Sequence, residues 1–237
     1  MSNDPKRAAV LGAIRSGLGR GERSADARAE LAQRLAKPTA NLLPAAVAKL
    51  KRDETVELFV EKAEQVNCTV RRVASADEVP AAVSDYLREH NLPPDVILAP
   101  SPSLRTMPWD KEKMLQRREG VPGNDDLVSV TPAFAGVAET GTLVMASGPE
   151  HPATLNFLPD HHIVALTASQ VHRVYEEAFA AWRKANKKRG RKFEMPRNLN
   201  LITGPSRTGD IALKIELGAH GPRSLHILLI EDEQPKK

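Results

Sequence analysis

Residues 161–182 read "HHIVALTASQVHRVYEEAFAAW", and this stretch decides the fold. Its first part, "HHIVALTA" (161–168), is a short apolar run, which is typical of a strand that is covered on both faces. Ser169 then offers an N-cap, and apolar residues follow at helical spacing. They are Val171, Val174, Tyr175, Ala178, Ala181 and Trp182. A buried strand that leads into an amphipathic helix is the building unit of a parallel sheet.

The same alternation of strand and helix recurs through residues 69–231. A helix is predicted over about 78–90, with Asp77 as its N-cap and Pro80 in its first turn. Further strands are predicted from "TVRRVA" (69–74), "DVILAP" (95–100), two extended segments within 126–147, "NLNLIT" (198–203) and "SLHILLIE" (224–231). The sequence therefore predicts an α/β fold with a mainly parallel sheet flanked by helices. Around Gly136 no crossover helix fits, so we expect an antiparallel hairpin there.

The first quarter of the chain reads as helical and carries no strand pattern. Apolar residues recur at helical spacing in residues 5–19, in the segment after Ser24 and in residues 45–66. Helices this short are marginal in water unless they dock on something. We therefore predict an N-terminal helical arm over residues 1–44 and an α/β domain over residues 45–237.

Composition excludes several classes of protein. No apolar run approaches the roughly 20 residues of a membrane-spanning helix, and the N-terminus lacks a signal-peptide pattern; both features favour a cytoplasmic protein. Cys68 is the single cysteine, whereas an iron–sulfur cluster takes about four protein ligands. We expect a buried structural thiol at Cys68 and neither a cofactor nor a metal site in this chain.

Positive charge is concentrated in two segments. Residues 1–37 account for the net charge of +4, and "RKANKKRGRK" (183–192) contains seven basic residues and no acidic one. Nucleic-acid-binding segments usually add stacking aromatic residues, which make up only 4% of this chain. A solvated or disordered segment is therefore favoured over a nucleic-acid site.

The stretch "LITGPSRTGD" (201–210) predicts an anion site. A helix is expected over about 209–217, and its N-terminus would present backbone N–H groups to a ligand beyond the carboxyl end of a strand. Arg207 adds a planar guanidinium that suits a carboxylate or phosphate. The anion-binding candidates of the loop are Gly204, Ser206, Arg207, Thr208 and Asp210. The alternative is that Thr208 only caps the helix and that Arg207 pairs with Asp210.

Two further motifs carry glycine beside polar residues. In "GAHGPRSLH" (218–226), His220 is a candidate acid/base group, with Gly221 and Arg223 as binding residues. In "GVAETGTLVMAS" (136–147), Glu139 is a candidate base or nucleophile, with Thr140, Gly141 and Thr142 as binding residues. His220 could equally hold a turn, and Glu139 could equally accept backbone hydrogen bonds.

The adjacent histidines of "NFLPDHHI" (156–163) do not predict a metal site. Successive side chains on a strand point to opposite faces, so His161 and His162 cannot bind one metal ion in regular geometry.

Together, "AGVAETGTLVMAS", "LPDHHIVAL", "LITGPSRTGDI" and "GAHGPRSLHILLI" resemble the LUD (lactate-utilisation domain) family. Within it, the chain is similar to the LutC/YkgG type, which lacks cysteine clusters, over residues 45–233. Gly209 stands where the family commonly has alanine, and Ala212 where an acidic residue is frequent.

The resemblance implies a three-layer α/β/α sandwich similar to the NagB/RpiA/CoA-transferase-like group. It also implies a component of a complex that oxidises lactate to pyruvate, with iron–sulfur clusters on partner subunits. It assigns no catalytic residue, so the roles given to Glu139, His220 and Arg207 rest on their chemistry alone.

Two other functions remain open on the sequence. The first is a stand-alone enzyme acting on a CoA thioester or a sugar phosphate, which needs Glu139 as a nucleophile in an open cleft. The second is nucleic-acid binding through the two basic segments, which we rank lowest because they lie outside the motifs.

Overall fold

The computed structural model describes residues 5–19, 21, 23–36, 42–188, 196–209 and 216–231. The chain divides into two units, Met1–Leu42 and Leu43–Lys237. The first unit contains helix α1 (Pro5–Gly17) and helix α2 (Ala25–Ala36). Both helices were predicted from apolar spacing, and both predictions are confirmed.

The second unit alternates helices and strands. Its helices are α3 (Ala45–Ala48), α4 (Arg52–Gln65), α5 (Val79–Glu89), α6 (Pro102–Arg105) and α7 (Tyr175–Lys188). Its strands are β1 (Thr69–Val73), β2 (Asp95–Leu98), β3 (Gln116–Glu119), β4 (Val128–Pro132), β5 (Ala135–Val137), β6 (Thr142–Ala146), β7 (His161–Thr167), β8 (Val171–His172), β9 (Leu199–Ile202), β10 (Arg207–Thr208), β11 (Glu216–Leu217) and β12 (Ser224–Ile230). The predicted α/β class is confirmed.

The strands form two larger sheets and one short ladder. The six-stranded sheet has the order β1-β12-β7-β4-β2-β3, and all its pairings are parallel. The four-stranded sheet has the order β8-β5-β6-β9, and in it β6 runs antiparallel to both β5 and β9. The hairpin predicted around Gly136 is the β5–β6 pair. Strands β10 and β11 pair with each other.

Strand β7 shows how the parallel sheet buries both of its faces. Ile163 and Ala165 point into the core that α5 covers, whereas Val164 and Leu166 point into the core that α4 and β6 cover. Side chains alternate between the faces of a strand, so an uninterrupted apolar run supplies both cores at once. The parallel sheet is therefore the middle layer, with α5 on one side and α4 with the four-stranded sheet on the other.

The helix predicted to start at Ser169 begins later. Residues Ala168–Gln170 form a 3₁₀ turn, β8 follows, and α7 begins at Tyr175. Val171 pairs with Gly136 of β5, so sheet pairing overrides the helical spacing at this position.

Two other helix boundaries differ from the sequence prediction. Asp77 lies in the 3₁₀ turn Ala76–Glu78 and does not cap α5, although Pro80 does lie in the first turn of α5. The single helix predicted over residues 45–66 is divided into α3 and α4. The Glu54 carboxylate accepts a hydrogen bond from the Lys51 backbone N–H at 2.7 Å, which starts a new helix there.

The helices do not include a membrane span. Within the described ranges, none is both long enough and apolar enough to cross a bilayer.

Candidate functional site

A cleft of about 410 Å³ lies at the amino ends of β7 and β12. It is lined by residues 156–157, 201–207 and 220–222 together with His162 and Leu225. The prediction that the GPSRT loop lies beyond the carboxyl ends of the parallel sheet is wrong. Strand β9 belongs to the second sheet, where it runs antiparallel to β6. The loop that follows β9 therefore lies at the amino ends of the parallel strands and not at their carboxyl ends.

Ser206 fastens the two C-terminal motifs to each other. Its backbone N–H donates to the Pro222 carbonyl at 2.8 Å, and its carbonyl accepts from the Gly218 N–H at 2.9 Å. Its hydroxyl accepts a hydrogen bond from the His220 backbone N–H at 3.2 Å. Gly221 lies against Ser206, since an added Cβ would sit 3.3 Å from the Ser206 Cβ. The loop of residues 204–207 and the turn of residues 218–222 thus form one wall.

Arg207 lines this cleft as an exposed residue of β10. Among the described residues its guanidinium has no hydrogen bond and no ion pair. The proposed pairing with Asp210 lies outside the described residues, as does Asp210 itself. Arg207 is therefore the cationic group of the cleft that a ligand can reach.

The helix predicted over about 209–217 is wrong at its carboxyl end. Arg207 and Thr208 pair in antiparallel register with Leu217 and Glu216. Residues 210–215 lie outside the described residues. Thr208 belongs to this ladder, whereas the predicted helix start and the capping role of Thr208 depend on residues outside the described ranges.

His220 and Arg223 take different positions around the cleft. His220 is exposed and lines it. Arg223 lies across Gly218, where an added Cβ would sit 2.2 Å from the Arg223 Cγ, and its Nε is 3.8 Å from an Asp160 carboxylate oxygen. Arg223 is not among the cleft-lining residues of the described chain.

The turn that carries Glu139, Thr140 and Gly141 packs on helix α4. Gly141 has φ of +66°, and an added Cβ would lie 2.4 Å from the Ala63 backbone nitrogen. The Glu139 N–H donates to the Arg173 carbonyl at 3.0 Å, and its side chain is half-buried. Of the described cleft-lining residues, none belongs to this turn. The structure thus separates Glu139 from His220, the two candidate acid/base groups.

Four hydroxyl groups connect that turn with the cleft wall. Thr142 Oγ1 lies 2.7 Å from Thr140 Oγ1, 2.9 Å from the Tyr175 hydroxyl and 2.7 Å from Thr203 Oγ1. Thr142 is fully buried, whereas Thr203 lines the cleft. This network fixes the carboxyl end of β9, from which the GPSRT loop departs.

Replacing Thr142 with valine is expected to lower the free energy of unfolding by about 2 kcal/mol, because its hydroxyl partners lose a buried hydrogen bond. Thr142→Ser keeps the hydroxyl and is expected to retain most of the stability. Urea unfolding of both variants measures the difference. Equal losses in the two variants would show that packing of the methyl group, and not the hydroxyl network, stabilises this turn.

His162 lines the cleft. The sequence analysis considered it only as a metal ligand and did not predict a place in the site. It is 1% exposed, its Nε2 lies 2.7 Å from Thr131 Oγ1, and its Nδ1 is buried with no hydrogen-bond partner among the described residues. Burial lowers the pKa of His162 from its ordinary 6.5 to about 3, so the ring is neutral. The sequence signal that could have identified this residue was a histidine within the apolar run of a buried strand.

Cys68 lies behind the loop wall. It is buried, and its thiol contacts the Gly204 backbone; burial raises the pKa of the thiol to about 11. The thiolate is therefore disfavoured at neutral pH. The predicted burial of Cys68 is confirmed.

A second group of histidines lies on the opposite face of the parallel sheet. The Tyr86 hydroxyl is 3.0 Å from His161 Nδ1, and the Tyr86 ring lies 4.6 Å from the His226 ring. His226 Nδ1 is 2.7 Å from Thr69 Oγ1. Burial, followed by the nearby His90 and Arg71 charges, lowers the pKa of His226 to about 4. In the described chain, no group of three or more His, Cys, Asp or Glu side chains has the arrangement of a metal site.

Comparison with known families supports the resemblance seen in the motifs. The family model of the LUD domain matches residues 123–230, which include β4 to β12 and the whole cleft wall. This part of the chain is similar to the LUD domain family. The family resemblance predicted from the sequence is thereby confirmed.

Proteins similar to this chain include some with lactate-utilisation names. Lactate utilization protein C of Halalkalibacterium halodurans is 23% identical over 245 residues, which cover 96% of this chain and 98% of the relative. YkgG of Escherichia coli is 36% identical over 106 residues, or 44% of each chain. The chain spans about half or less of the length of the relatives that are 30–40% identical to it, between 39% and 52%.

A solved structure shares the fold. The crystal structure of a DUF162 family protein from Deinococcus radiodurans aligns with a TM-score of 0.55 and 19% identity, over 77% of this chain and 99% of that chain. At this identity the likeness concerns the fold alone.

Proposed function

We propose that this chain is a component of a lactate-utilisation system and that its cleft binds a small organic anion through Arg207. The observation that carries the proposal is a guanidinium with no described partner on the wall of a cleft of about 410 Å³. Relatives named lactate utilization protein C support the pathway. Ligand pockets commonly have volumes of about 300–1,000 Å³.

The wall of the cleft suits an anion in its chemistry. Arg207 supplies a planar set of donors that can hold both oxygens of a carboxylate. The Ser206 hydroxyl accepts from the His220 N–H and keeps its own proton to donate. Ser206, Arg207 and the His220 side chain can therefore all meet the ligand. Lactate and pyruvate are both small carboxylates of the kind that Arg207 would bind.

The redox centre of such a system would belong to partner proteins. The chain has one cysteine, which is buried and whose pKa is raised, so it cannot hold a cluster by itself. We propose that iron–sulfur subunits carry the electrons and that this chain supplies or completes the anion site. Co-purification of a tagged chain with proteins that show iron–sulfur absorbance would test the assembly.

The alternative of a stand-alone enzyme acting on a CoA thioester or a sugar phosphate draws no support from the position of Glu139. A nucleophilic carboxylate has to reach the substrate, and Glu139 lies on the turn packed against α4. Nucleic-acid binding was predicted through the two basic segments, and part of the second one, residues 189–192, lies outside the described residues.

Arg207→Ala is expected to abolish anion binding while leaving the melting temperature near that of the wild type, since Arg207 is exposed and has no described partner. A thermal-shift series with lactate, pyruvate, phosphate, CoA and ribose 5-phosphate measures both quantities. Saturation at a hundredfold excess over Kd adds about 2.7 kcal/mol to the stability of the wild type.

Arg88→Ala, which removes an exposed arginine from α5, is the matched control and is expected to keep the ligand-induced shift. A large loss of stability in Arg207→Ala would instead assign Arg207 a structural pairing. A shift with CoA or ribose 5-phosphate alone would favour the stand-alone enzyme.

A further inference from the structure

His162 occupies an unusual position at the base of the cleft. It is the first inward residue of β7 on the face that the cleft occupies, and it is 1% exposed. A buried polar atom without a partner costs roughly 1–3 kcal/mol. The buried Nδ1 has no partner among the described residues, and His162 lines a cleft that can admit one.

The hydrogen bond between His162 and Thr131 can form with either one as the donor, and the two arrangements place the ring proton on different nitrogens. His162 Nε2 and Thr131 Oγ1 are 2.7 Å apart, and Thr131 is itself buried. A hydroxyl has one proton to donate, and His162 Nε2 is the partner of the Thr131 hydroxyl in the described chain. If Thr131 donates to Nε2, the hydroxyl proton has an acceptor, and the ring proton is the one left for a ligand. The neutral ring then carries its own proton on Nδ1.

We propose that His162 Nδ1–H donates a hydrogen bond to an acceptor oxygen of the bound anion, so that the site selects 2-oxo acids over the matching 2-hydroxy acids. The inference rests on the proposed anion site at Arg207 and names its ligand class. A carbonyl oxygen accepts and has nothing to donate, whereas a hydroxyl must also place its own proton.

The remaining walls of the cleft describe the rest of the ligand. Phe157, Leu201 and Leu225 contribute apolar surface, and pyruvate, with its single methyl group, would leave most of about 410 Å³ unfilled. A 2-oxo acid with a larger apolar side chain fits better, since buried apolar area adds affinity. Phenylpyruvate and phenyllactate, together with pyruvate and lactate, are therefore the probes of choice.

The tautomer is tested first, on the ligand-free protein. Two-bond ¹H–¹⁵N correlation spectra distinguish a ring protonated at Nδ1 from one protonated at Nε2. We expect His162 to be the Nδ1–H form at neutral pH, with the assignment made by loss of its signals in His162→Asn. An Nε2–H ring would overturn the inference whether or not any anion binds.

Binding is tested next by titration calorimetry with the two matched pairs. We expect each 2-oxo acid to bind the wild type about threefold to tenfold more tightly than its 2-hydroxy partner. His162→Ala is expected to weaken binding of the 2-oxo acid about tenfold and to remove the preference. His162→Asn, which keeps an N–H near the position of Nδ1, is expected to retain part of both.

The outcomes separate this inference from the proposed function. If Arg207→Ala loses binding while His162→Ala keeps both affinity and preference, the anion site stands and the role of His162 is wrong. If the wild type binds none of the four acids, the anion site fails, and the ligand class assigned to His162 fails with it. Should His162→Ala not fold, the spectrum of the wild type and the His162→Asn titration still decide the matter.

Discussion

Lowering the pH from about 6.5 to about 4.5 is expected to reduce the free energy of unfolding by about 4 kcal/mol through two histidines alone. Burial lowers the pKa of His162 to about 3 and that of His226 to about 4. In the unfolded chain both rings regain the ordinary value of 6.5. Below that pH the unfolded state binds protons that the folded state excludes, at about 1.4 kcal/mol per pH unit for each ring.

The direction of the effect follows from the lowered pKa values. The stability from the two neutral rings is fully present above about pH 6.5. It is lost progressively as the pH falls toward the folded values of about 3 and about 4. Because a domain is stable by only about 5–15 kcal/mol, we expect the two histidines to contribute strongly to acid unfolding near about pH 4–5.

Urea unfolding at several pH values between about 4.5 and about 7.5 measures this slope. His162→Asn and His226→Gln should each remove about half of it, whereas His220→Gln, at an exposed position, should leave it unchanged. A slope that both core variants preserve would show that the protons are taken up elsewhere. Asp85, Glu119 and Glu177, whose pKa values are lowered, are the groups to examine then.

Gly204→Ala is expected to cost more than about 4 kcal/mol, in the range that marks a specific structural conflict. Gly204 has φ of +82°, and an added Cβ would lie 2.3 Å from the Val66 carbonyl oxygen. The obstacle is backbone just after α4, so it cannot turn aside as a side chain can. The left-handed conformation adds about 1–2 kcal/mol for a residue with a Cβ.

Two other glycines separate the contributions. Gly120→Ala tests positive φ alone, since φ is +131° and nothing lies within 4 Å of the added Cβ; a loss of about 1–3 kcal/mol is expected. Gly148→Ala has open space and no positive φ, so its stability should stay near wild type. Chemical denaturation of the three variants measures the differences. If Gly204→Ala lost no more than Gly120→Ala, the approach to Val66 would not restrict the loop.

Gly204 also connects stability with the candidate site. The loop that it starts carries Ser206 and Arg207, and its backbone contacts Cys68 behind the wall. A shift of this loop would move Arg207 relative to His162, which belongs to the rigid parallel sheet. We therefore expect any folded Gly204→Ala protein to lose the preference for 2-oxo acids before it loses secondary structure.

The sequence predicted where the strands lie better than it predicted which strands pair with each other. The runs around Ile97, Ile163 and Leu228 are apolar at consecutive positions, and such runs require cover on both faces. Helical spacing of apolar residues predicted helix at Val171 and at Glu216–Leu217, where the structure has strands. Helical spacing reports only local preference, and a distant strand that offers backbone hydrogen bonds changes the outcome.

The candidate site was predicted in part. One cleft brings together five of the predicted residues, Gly204, Ser206, Arg207, His220 and Gly221. They meet because Ser206 hydrogen-bonds to the turn of residues 218–222 through its backbone and its hydroxyl. The motif containing Glu139 lies elsewhere, on the far side of the hydroxyl network. Glycine-flanked polar residues have the same appearance in a binding loop and in a turn that packs on a helix.

By itself the sequence determined the α/β class, the lack of enough cysteines for a cluster, and the two C-terminal motifs that resemble the LUD family. Only the tertiary structure decided that β9 joins a second sheet, that the GPSRT loop therefore meets the amino ends of β7 and β12, and that His162 lies beneath it. Composition and spacing are properties of neighbouring residues along the chain. The cleft depends on pairing between strands distant in sequence, such as β6 with β9 and β7 with β12, and that pairing is set by burial and hydrogen bonding across the whole domain.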